Sequence, residues 1–271
     1  MVESSSMESS VVLVTGASAG IGRASADLLA SRGWRVVGAS RRATRGTGWQ
    51  GLRMDVDDDD SVRQGVESAI ERFGRLDAVV AAAGFGVAGP VEHTTMDDAR
   101  AQFETNFFGV TRVVGASLSH LRQSAGRVVI IGSIGGALGL PFQAFYSASK
   151  FALEGYAEAL AYEVAPFGVE VTVVEPGNIR TEFTAQRHFV ESPESNPYAA
   201  ATAKAMGTME RDEQQGAPPS TVAETVARVL EANHPPRRIS VGKLDERVGV
   251  VAKRLLPYRL FERAARGSLG L

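Results

Sequence analysis

The sequence predicts an α/β fold in which one doubly wound parallel sheet of about seven strands is covered by helices on both faces. Two observations support this fold class. Short apolar runs typical of buried strands alternate along the chain with longer segments of helical periodicity. A glycine-rich segment follows the first apolar run and opens the first helical segment. Such alternation indicates parallel strands joined by right-handed crossovers, which place helices on both sides of the sheet.

Each predicted element follows from a local pattern. The predicted strands are the apolar runs at 11–14, 35–39, 52–54, 76–82, 127–131, 169–174 and 239–241. The predicted helices are a segment with Ile21, Ala24, Leu28 and Leu29 on one face, followed by 61–73, 97–121, 145–164 and 222–232. No linker and no repeat interrupts this order, so we expect a single domain that spans 1–271.

Two segments lie outside this regular pattern. Residues 185–219 mix Ser, Pro, Glu and Gln, and we expect a mobile insert that closes over a substrate as a lid. Residues 243–271 form a C-terminal tail in which seven basic and three acidic residues lie among apolar ones. Pro257 interrupts any single amphipathic helix there, which favours packing of the tail over the site or at a subunit interface rather than on a membrane.

Composition argues against several classes of protein. The 29 basic and 31 acidic residues give a net charge of −2, which offers no overall attraction for nucleic acid. The chain has no cysteine, and its four histidines lie far apart, so we expect no disulfide and no metal site. Residues 1–10 contain two glutamates and no basic residue ahead of the first apolar run, which argues against a signal peptide and predicts a cytoplasmic protein.

The glycine-rich segment has the pattern of a nucleotide-binding loop. Gly16, Gly20 and Gly22 follow the first strand and open the first helix, where backbone N–H groups and the helix dipole suit the pyrophosphate of a dinucleotide. An ordinary strand-to-helix turn is the alternative, and the spacing G-x-x-x-G-x-G differs from the common G-x-G-x-x-G. Because the loop lies in the first strand–turn–helix unit, we favour a Rossmann-type nucleotide site.

The end of the second predicted strand bears on the choice between NAD and NADP. An acidic residue here would accept a hydrogen bond from the ribose 2′-hydroxyl of NAD, whereas an arginine would pair with the 2′-phosphate of NADP. This sequence has Ser40, Arg41 and Arg42, and it has no acidic residue between 36 and 50. A solvated basic turn is the alternative. We predict NADP(H), since a guanidinium fork suits a phosphate group.

Four polar residues form a candidate catalytic set. Tyr146 and Lys150 are four residues apart near the start of a predicted helix, which places both side chains on one face. A nearby ammonium group stabilises a phenolate, so this pair suits proton transfer. Ser133 follows the strand at 127–131, at the sheet edge where such folds bind ligands, and Asn106 lies in a helical pattern where asparagine is disfavoured. Each residue alone has an ordinary structural explanation, and only the combination indicates catalysis.

Seven short motifs follow one another along residues 11–182. They are TGASAGIG at 15–22, DV at 55–56, AAAG at 81–84, Asn106, Ser133, YSASK at 146–150 and PG at 176–177. In this order they make the chain resemble the short-chain dehydrogenase/reductase family, and the segment from 146 to 177 further resembles the branch with 17β-hydroxysteroid and retinol dehydrogenases. One departure is Ala81, where the family usually has an asparagine that ties the central strands together.

The resemblance implies a role for each residue of the candidate catalytic set. Tyr146 would be the general acid/base, and Ser133 would orient the carbonyl group of the substrate. Lys150 would clamp the nicotinamide ribose and lower the pKa of Tyr146, and Asn106 would support a proton relay. The cofactor site predicted from the loop, the arginines and the resemblance consists of Gly16, Ser18, Gly20, Ile21, Gly22, Ser40, Arg41, Arg42, Asp55, Val56, Ala82, Ala83, Gly84, Tyr146, Lys150, Pro176, Gly177, Ile179 and Thr181.

We therefore expect an NADP(H)-dependent oxidoreductase that moves a hydride between nicotinamide and a carbonyl group or secondary alcohol. The motifs are flanked by apolar residues that favour an apolar substrate, namely Phe85, Val87, Leu138, Pro141, Phe142 and Phe145. The resemblance also implies a homodimer or homotetramer built through the two long helices. Two alternatives remain: a regulatory protein that binds NADP without turnover, and a reductase held at a membrane by its basic tail.

Overall fold

The computed structural model describes residues 9–269 and contains a seven-stranded sheet in which all neighbouring strands are parallel. Numbered along the chain, the strands are β1 (Val11–Thr15), β2 (Arg35–Ser40), β3 (Gln50–Arg53), β4 (Ala78–Ala81), β5 (Val87–Ala88), β6 (Arg127–Ile131), β7 (Glu170–Pro176), β8 (His188–Phe189) and β9 (Arg238–Val241). The order across the sheet is β3-β2-β1-β4-β6-β7-β9, while β5 and β8 pair separately. The predicted doubly wound fold in one domain is confirmed.

Helices cover both faces of this sheet. Within residues 9–269 they are α1 (Gly20–Ser31), α2 (Asp59–Phe73), α3 (Met96–Phe103), α4 (Gly109–Ser124), α5 (Ala144–Val164), α6 (Ala199–Gln214), α7 (Pro219–Glu231), α8 (Leu244–Leu255) and α9 (Tyr258–Ser268). One face packs against α1 and α7, and the other packs against α2, α4 and α5. No helix in this described part is long and apolar enough to cross a membrane.

The side chains of β1 show why a central strand is apolar at every position. Val11 and Leu13 join the core beneath α2, α4 and α5, whereas Val12 and Val14 join the core beneath α1 and α7. All four are fully buried. Because successive side chains point to opposite faces, a strand covered on both sides has no position for a polar residue.

The long helix predicted over 97–121 is interrupted in the structure. Between α3 and α4 the chain makes one π-helical turn at Glu104–Phe108, which contains the fully buried Asn106. The Asn106 side chain accepts a hydrogen bond from the backbone N–H of Phe85 and donates one to the Phe85 carbonyl, both at 3.0 Å. A buried amide without partners would be costly, so these bonds stabilise the wider turn. The predicted long helix is therefore present, but with a π turn inside it that the sequence pattern did not indicate.

The segment 185–219 contains a helix that the sequence pattern did not predict. Helix α6 occupies sixteen residues of it, and its Ala205, Met206 and Met209 are buried. The alanine-rich start of α6 has high helix propensity, but its apolar stripe is too narrow to stand out from sequence alone. Within this segment, β8 pairs with β5 and joins the insert to the main fold.

Candidate active site

A cleft of about 1530 Å³ lies along the edge of the sheet at which the parallel strands end. The segments that follow β1, β2, β4, β6 and β7 all contribute to its walls. The strand order reverses between β1 and β4, and open α/β sheets bind ligands at such a reversal. Every residue of the predicted catalytic set and of the predicted cofactor site lines this one cleft. Residues far apart in sequence are thus brought together.

The loop between β1 and α1 can only be built from glycine at its key positions. Gly16 has a φ of +67°, in the left-handed region, and a Cβ atom on Gly22 would lie 2.4 Å from the carbonyl oxygen of Gly16. Helix α1 begins after Ala19, which provides no side-chain acceptor for the first N–H groups of the helix. An anion can therefore approach these N–H groups closely.

The end of β2 presents positive charge at the same end of the cleft. Ser40 donates a hydrogen bond to the carbonyl of Arg42 at 2.5 Å, and the side chains of Arg41 and Arg42 are exposed. Asp57, which the motifs did not identify, also lines the cleft here. Burial raises the pKa of Asp57, while a hydrogen bond from Thr105 and the charge of Arg41 act in the opposite direction.

Thr15 connects β1 to the segment that follows Ala81. The hydroxyl oxygen of Thr15 accepts hydrogen bonds from the backbone N–H groups of Ala82, at 3.0 Å, and Ala83, at 3.2 Å. Thr15 is almost completely buried, so these bonds are shielded from water. They tie the end of β1 to the segment after β4.

Tyr146, Ser133 and Lys150 meet in the middle of the cleft, and all three are buried. The Ser133 hydroxyl accepts a hydrogen bond from the N–H of Gly135 at 3.0 Å. The Lys150 ammonium donates to the carbonyl of Ile131 at 2.9 Å and lies 5.9 Å from the centre of the Tyr146 ring. The predicted α-helical spacing therefore places the phenol and the ammonium on the same side of α5.

Burial sets the protonation of this cluster. It raises the pKa of Tyr146, with a hydrogen bond to Ser133 and the charge of Arg187 acting to lower it and the charge of Glu213 acting to raise it. Burial also lowers the pKa of Lys150 to about 8, against the opposing charge of Glu154. In the protein alone, Tyr146 is thus a neutral phenol at pH 7, whereas Lys150 is still mostly protonated.

The other end of the cleft is built mainly by residues that the motifs did not identify. Of the apolar residues expected to flank a substrate, Phe85, Leu138 and Pro141 line the cleft. Phe142 instead packs against the buried cluster that includes Met206 of α6. The missed lining residues come from the insert and the segment before it and from the tail, namely Glu182, Phe183, Gln186, Met209, Asp212, Glu213, Lys253, Tyr258, Phe261, Glu262, Ala265, Arg266, Ser268 and Leu269.

The C-terminal tail packs over this end of the cleft. The Glu246 carboxylate of α8 accepts hydrogen bonds from the backbone N–H and the side-chain amide of Asn178, at 3.1 and 2.7 Å. Lys253 of α8 donates to the carbonyl of Ala137 at 2.6 Å, close to the turn that follows Ser133. These contacts hold α8 against the segments after β6 and β7, and α9 then contributes to the cleft wall. Of the placements considered for the tail, the structure shows packing over the site.

Sequence comparisons identify the family of this chain. A family model described as short chain dehydrogenase matches residues 10–191. A 3-ketodihydrosphingosine reductase of Bacteroides thetaiotaomicron is 38% identical over 263 residues, which cover 96% of this chain and 98% of that protein. The human 17-beta-hydroxysteroid dehydrogenase type 1 is 38% identical over 195 residues, covering 65% of this chain and 59% of that protein.

Solved structures agree with this assignment. A short-chain dehydrogenase from Streptomyces avermitilis has a TM-score of 0.82 and 33% identity, with 97% of this chain and 99% of that chain covered. An alcohol dehydrogenase from Thermococcus sibiricus, solved with 5-hydroxy-NADP, has a TM-score of 0.72 and 25% identity, with 88% of this chain and 97% of that chain covered. The motifs, the fold and these matches together show that the chain belongs to the short chain dehydrogenase family of oxidoreductases.

Proposed function

We propose that this protein is an NADP(H)-dependent reductase of an apolar, long-chain ketone, with Tyr146 as the proton donor. The main observation in support is the buried, neutral phenol of Tyr146 beside Ser133 and Lys150, at the junction of the two ends of the cleft. A phenol whose pKa is raised holds its proton at neutral pH. It is therefore in the protonated form that a proton donor to a carbonyl oxygen requires.

The cofactor end of the cleft fits a dinucleotide with a 2′-phosphate. Glycine at 16 and 22 lets the loop pack tightly, since a Cβ atom there would collide with the backbone of Ala82 or Gly16, and the open start of α1 suits a pyrophosphate. Arg41 and Arg42 would then pair with the 2′-phosphate, and Asp55 and Val56 would lie at the adenine. When bound, the nicotinamide supplies the hydride that adds to the carbonyl carbon.

The protein's own groups complete the reaction at the carbonyl oxygen. The Ser133 hydroxyl donates a hydrogen bond to that oxygen and orients it, and the Tyr146 hydroxyl transfers its proton to it as negative charge develops. Lys150, with its ammonium held near the phenol, would bind the nicotinamide ribose. Asn106 fixes the backbone at Phe85 and so maintains the wall beside the cofactor.

The substrate class rests on the apolar residues at the second end of the cleft and on one relative. Phe183, Met209 and Phe261 line this end together with Leu138 and other apolar residues. The Bacteroides 3-ketodihydrosphingosine reductase matches almost the full length of this chain, including the insert and most of the tail. A 3-ketodihydrosphingosine is a long-chain ketone with an amine on the carbon next to the carbonyl group. We propose a ketone of this kind as the substrate.

Turnover of 3-ketodihydrosphingosine with NADPH, followed by absorbance, tests the reaction. Absence of a hydride-transfer signal in single-turnover experiments with this ketone and with simple long-chain ketones would instead support the regulatory alternative.

Calorimetric titration of NADPH and NADH tests the cofactor assignment. Charge-assisted hydrogen bonds of about 1.5–3 kcal/mol should make NADPH bind roughly 10 to 100 times more tightly, and Arg41→Ala should remove most of that difference. Arg45→Ala is the matched control, because Arg45 is exposed but is not among the residues that line the cleft.

We also propose a homodimer or homotetramer built on the long helices. Phe108 lies just before α4, Tyr162 lies on α5 and Phe167 lies just after it, and these aromatic side chains are exposed in the single chain. Large exposed apolar side chains on neighbouring elements mark contact surfaces. Sedimentation velocity of the purified protein should show a dimer or tetramer, and Tyr162→Lys should shift the distribution towards monomer.

A further inference from the structure

A buried ion pair lies at the substrate end of the cleft. The side chain of Arg187 is completely buried, and one of its terminal nitrogens pairs with the carboxylate of Glu213, near the end of α6. The hydroxyl of Thr184 donates to the other carboxylate oxygen. Two separate donors therefore hold the Glu213 carboxylate in one orientation. Such a group is preorganised, since little further ordering is needed when a ligand binds it.

The pair is close to the reacting phenol. The Arg187 guanidinium lies 5.9 Å from the centre of the Phe183 ring, and that ring lies 5.8 Å from the centre of the Tyr146 ring. Glu213 itself lines the cleft, and its side chain keeps 14% of its surface accessible. After burial and the Ser133 hydrogen bond, the charge of Glu213 is the next largest influence on the pKa of Tyr146. A fixed carboxylate thus lines the cleft and is near enough to Tyr146 for its charge to act on the phenol.

The contacts of Glu213 leave it able to bind a cation. A carboxylate has about four lone-pair positions, and Arg187 and Thr184 occupy only two of them. Asp212 and Glu182 line the same part of the cleft and add negative charge. Of the basic residues at this end, Lys253 is engaged with the carbonyl of Ala137, and Arg266 of α9 also lines the cleft but is not among the described partners of Glu213. The remaining acceptor positions of Glu213 are therefore suited to an N–H donor that bears positive charge.

We infer that Glu213 forms a binding subsite for an ammonium group on the carbon next to the substrate's ketone, and that Arg187 and Thr184 position its carboxylate. This inference rests on the proposed function and narrows its substrate class to α-amino ketones. The competing explanation is purely structural, because the same pair also joins α6 to the segment before β8. The two explanations predict different effects of a change at Glu213 on KM for a ketone that has no amine.

The test compares two ketones in the wild type and in Glu213→Gln, with NADPH and the full chain. One substrate is 3-ketodihydrosphingosine, and the other is a long-chain 3-ketone of equal length without the amine. Glu213→Gln keeps the size of the side chain and an oxygen for Arg187, but it removes the charge that faces the buried Arg187, so the melting temperature of the variant is measured alongside. We expect KM for the amino ketone to rise roughly 10- to 100-fold, with KM for the plain ketone changed less than about twofold. Glu210→Gln, on the same helix but not among the cleft-lining residues, should change neither value.

Three outcomes separate the possibilities. Equal increases of KM for both ketones, or equal use of both ketones by the wild type, would overturn the ammonium subsite while leaving the reductase proposal in place. Turnover of neither ketone by the wild type would overturn the proposed function and the subsite with it. If Glu213→Gln melts much earlier than the wild type, Thr184→Val provides the second test. It removes one donor to the carboxylate and should raise KM only for the amino ketone, by roughly two- to fivefold.

Discussion

The two ends of the cleft are built in different ways. At the cofactor end, the lining residues directly follow strands of the central sheet, as Gly16 follows β1 and Ala82 follows β4. At the substrate end, much of the lining comes from α6 and α9, which lie outside the sheet's core. The central sheet therefore holds the cofactor end in place, whereas segments joined to the sheet by a few contacts shape the substrate end.

The size of the buried clusters supports this contrast. The strands at the cofactor end belong to two extensive cores, one on each face of the sheet. The insert relies on a small cluster in which Ala88, Met206 and Met209 pack with Leu140, Phe142 and Leu269. Free energies of local opening follow the amount of apolar surface that is buried, so the insert should open far more readily than β1.

The largest effect is expected for Tyr146→Phe, which tests whether the catalytic rate and the affinity for NADPH depend on different groups where the two ends of the cleft meet. Tyr146→Phe should lower kcat by about 10²- to 10⁴-fold, because the phenol's proton is needed only in the transition state. Affinity for NADPH should stay within about twofold, since the loop at Gly16–Gly22 and the arginines remain. Stopped-flow rates and calorimetric titration measure the two quantities. A near-normal kcat in Tyr146→Phe would show that another group donates the proton.

Lys150→Ala is the companion variant for that experiment. Lys150 is expected both to bind the ribose and to support proton transfer, so this variant should lose kcat and cofactor affinity together. If Lys150→Ala loses only kcat, the ribose contact is absent and the cofactor end is defined by the loop and the arginines alone.

The same contrast explains how far the sequence could predict the structure. The cofactor end depends on local requirements, such as a positive φ at Gly16 or the four-residue spacing of Tyr146 and Lys150, and these leave a pattern in the sequence. The position of Glu213 in the cleft wall could not be predicted, because its partner Arg187 lies 26 residues away and is buried only by tertiary packing. The π turn at Asn106 could not be predicted because its hydrogen-bond partner, Phe85, lies 21 residues away.

A second prediction concerns the buried ammonium at the junction. Burial lowers the pKa of Lys150 from 10.5 to about 8, so between these pH values the unfolded chain holds a proton that the folded chain has lost. The free energy of unfolding must then rise with pH over this range, relative to a variant without the amine. From pH 8 to pH 10 we expect the wild type to gain roughly 1–3 kcal/mol against Lys150→Met. Urea unfolding of both proteins at several pH values measures this difference. A constant difference would mean that Lys150 keeps an ordinary pKa.

A third prediction tests the mobility of the substrate end directly. Amide hydrogen exchange should be faster in 185–219 than in β1 and β4, by at least tenfold, in the absence of ligand. Addition of NADPH with a slow substrate analogue should increase protection in 185–219, because a lid closes over an occupied site. Full protection without ligand, unchanged after addition, would remove the lid interpretation and make the insert a fixed wall of the cleft.

The smallest effect is expected for a substitution in α6, which tests whether the insert and the central sheet unfold as separate units. Gly207 lies within α6, and a Cβ atom there would meet only the end of the Arg211 side chain, at an ordinary 3.5 Å. Gly207→Ala should therefore stabilise α6 by about 0.5–1 kcal/mol, since glycine in a helix interior is less favourable than alanine by that amount. Ala203→Gly, at an exposed position of the same helix, is the reverse control and should destabilise α6 to a similar extent. Hydrogen exchange in 199–214 should slow by roughly two- to fivefold in the first variant and accelerate in the second, with exchange in β1 unchanged in both. An equal change in β1 would show that the insert and the sheet form one cooperative unit. The two ends of the cleft would then differ in which segments of the chain build them, but not in their local stability.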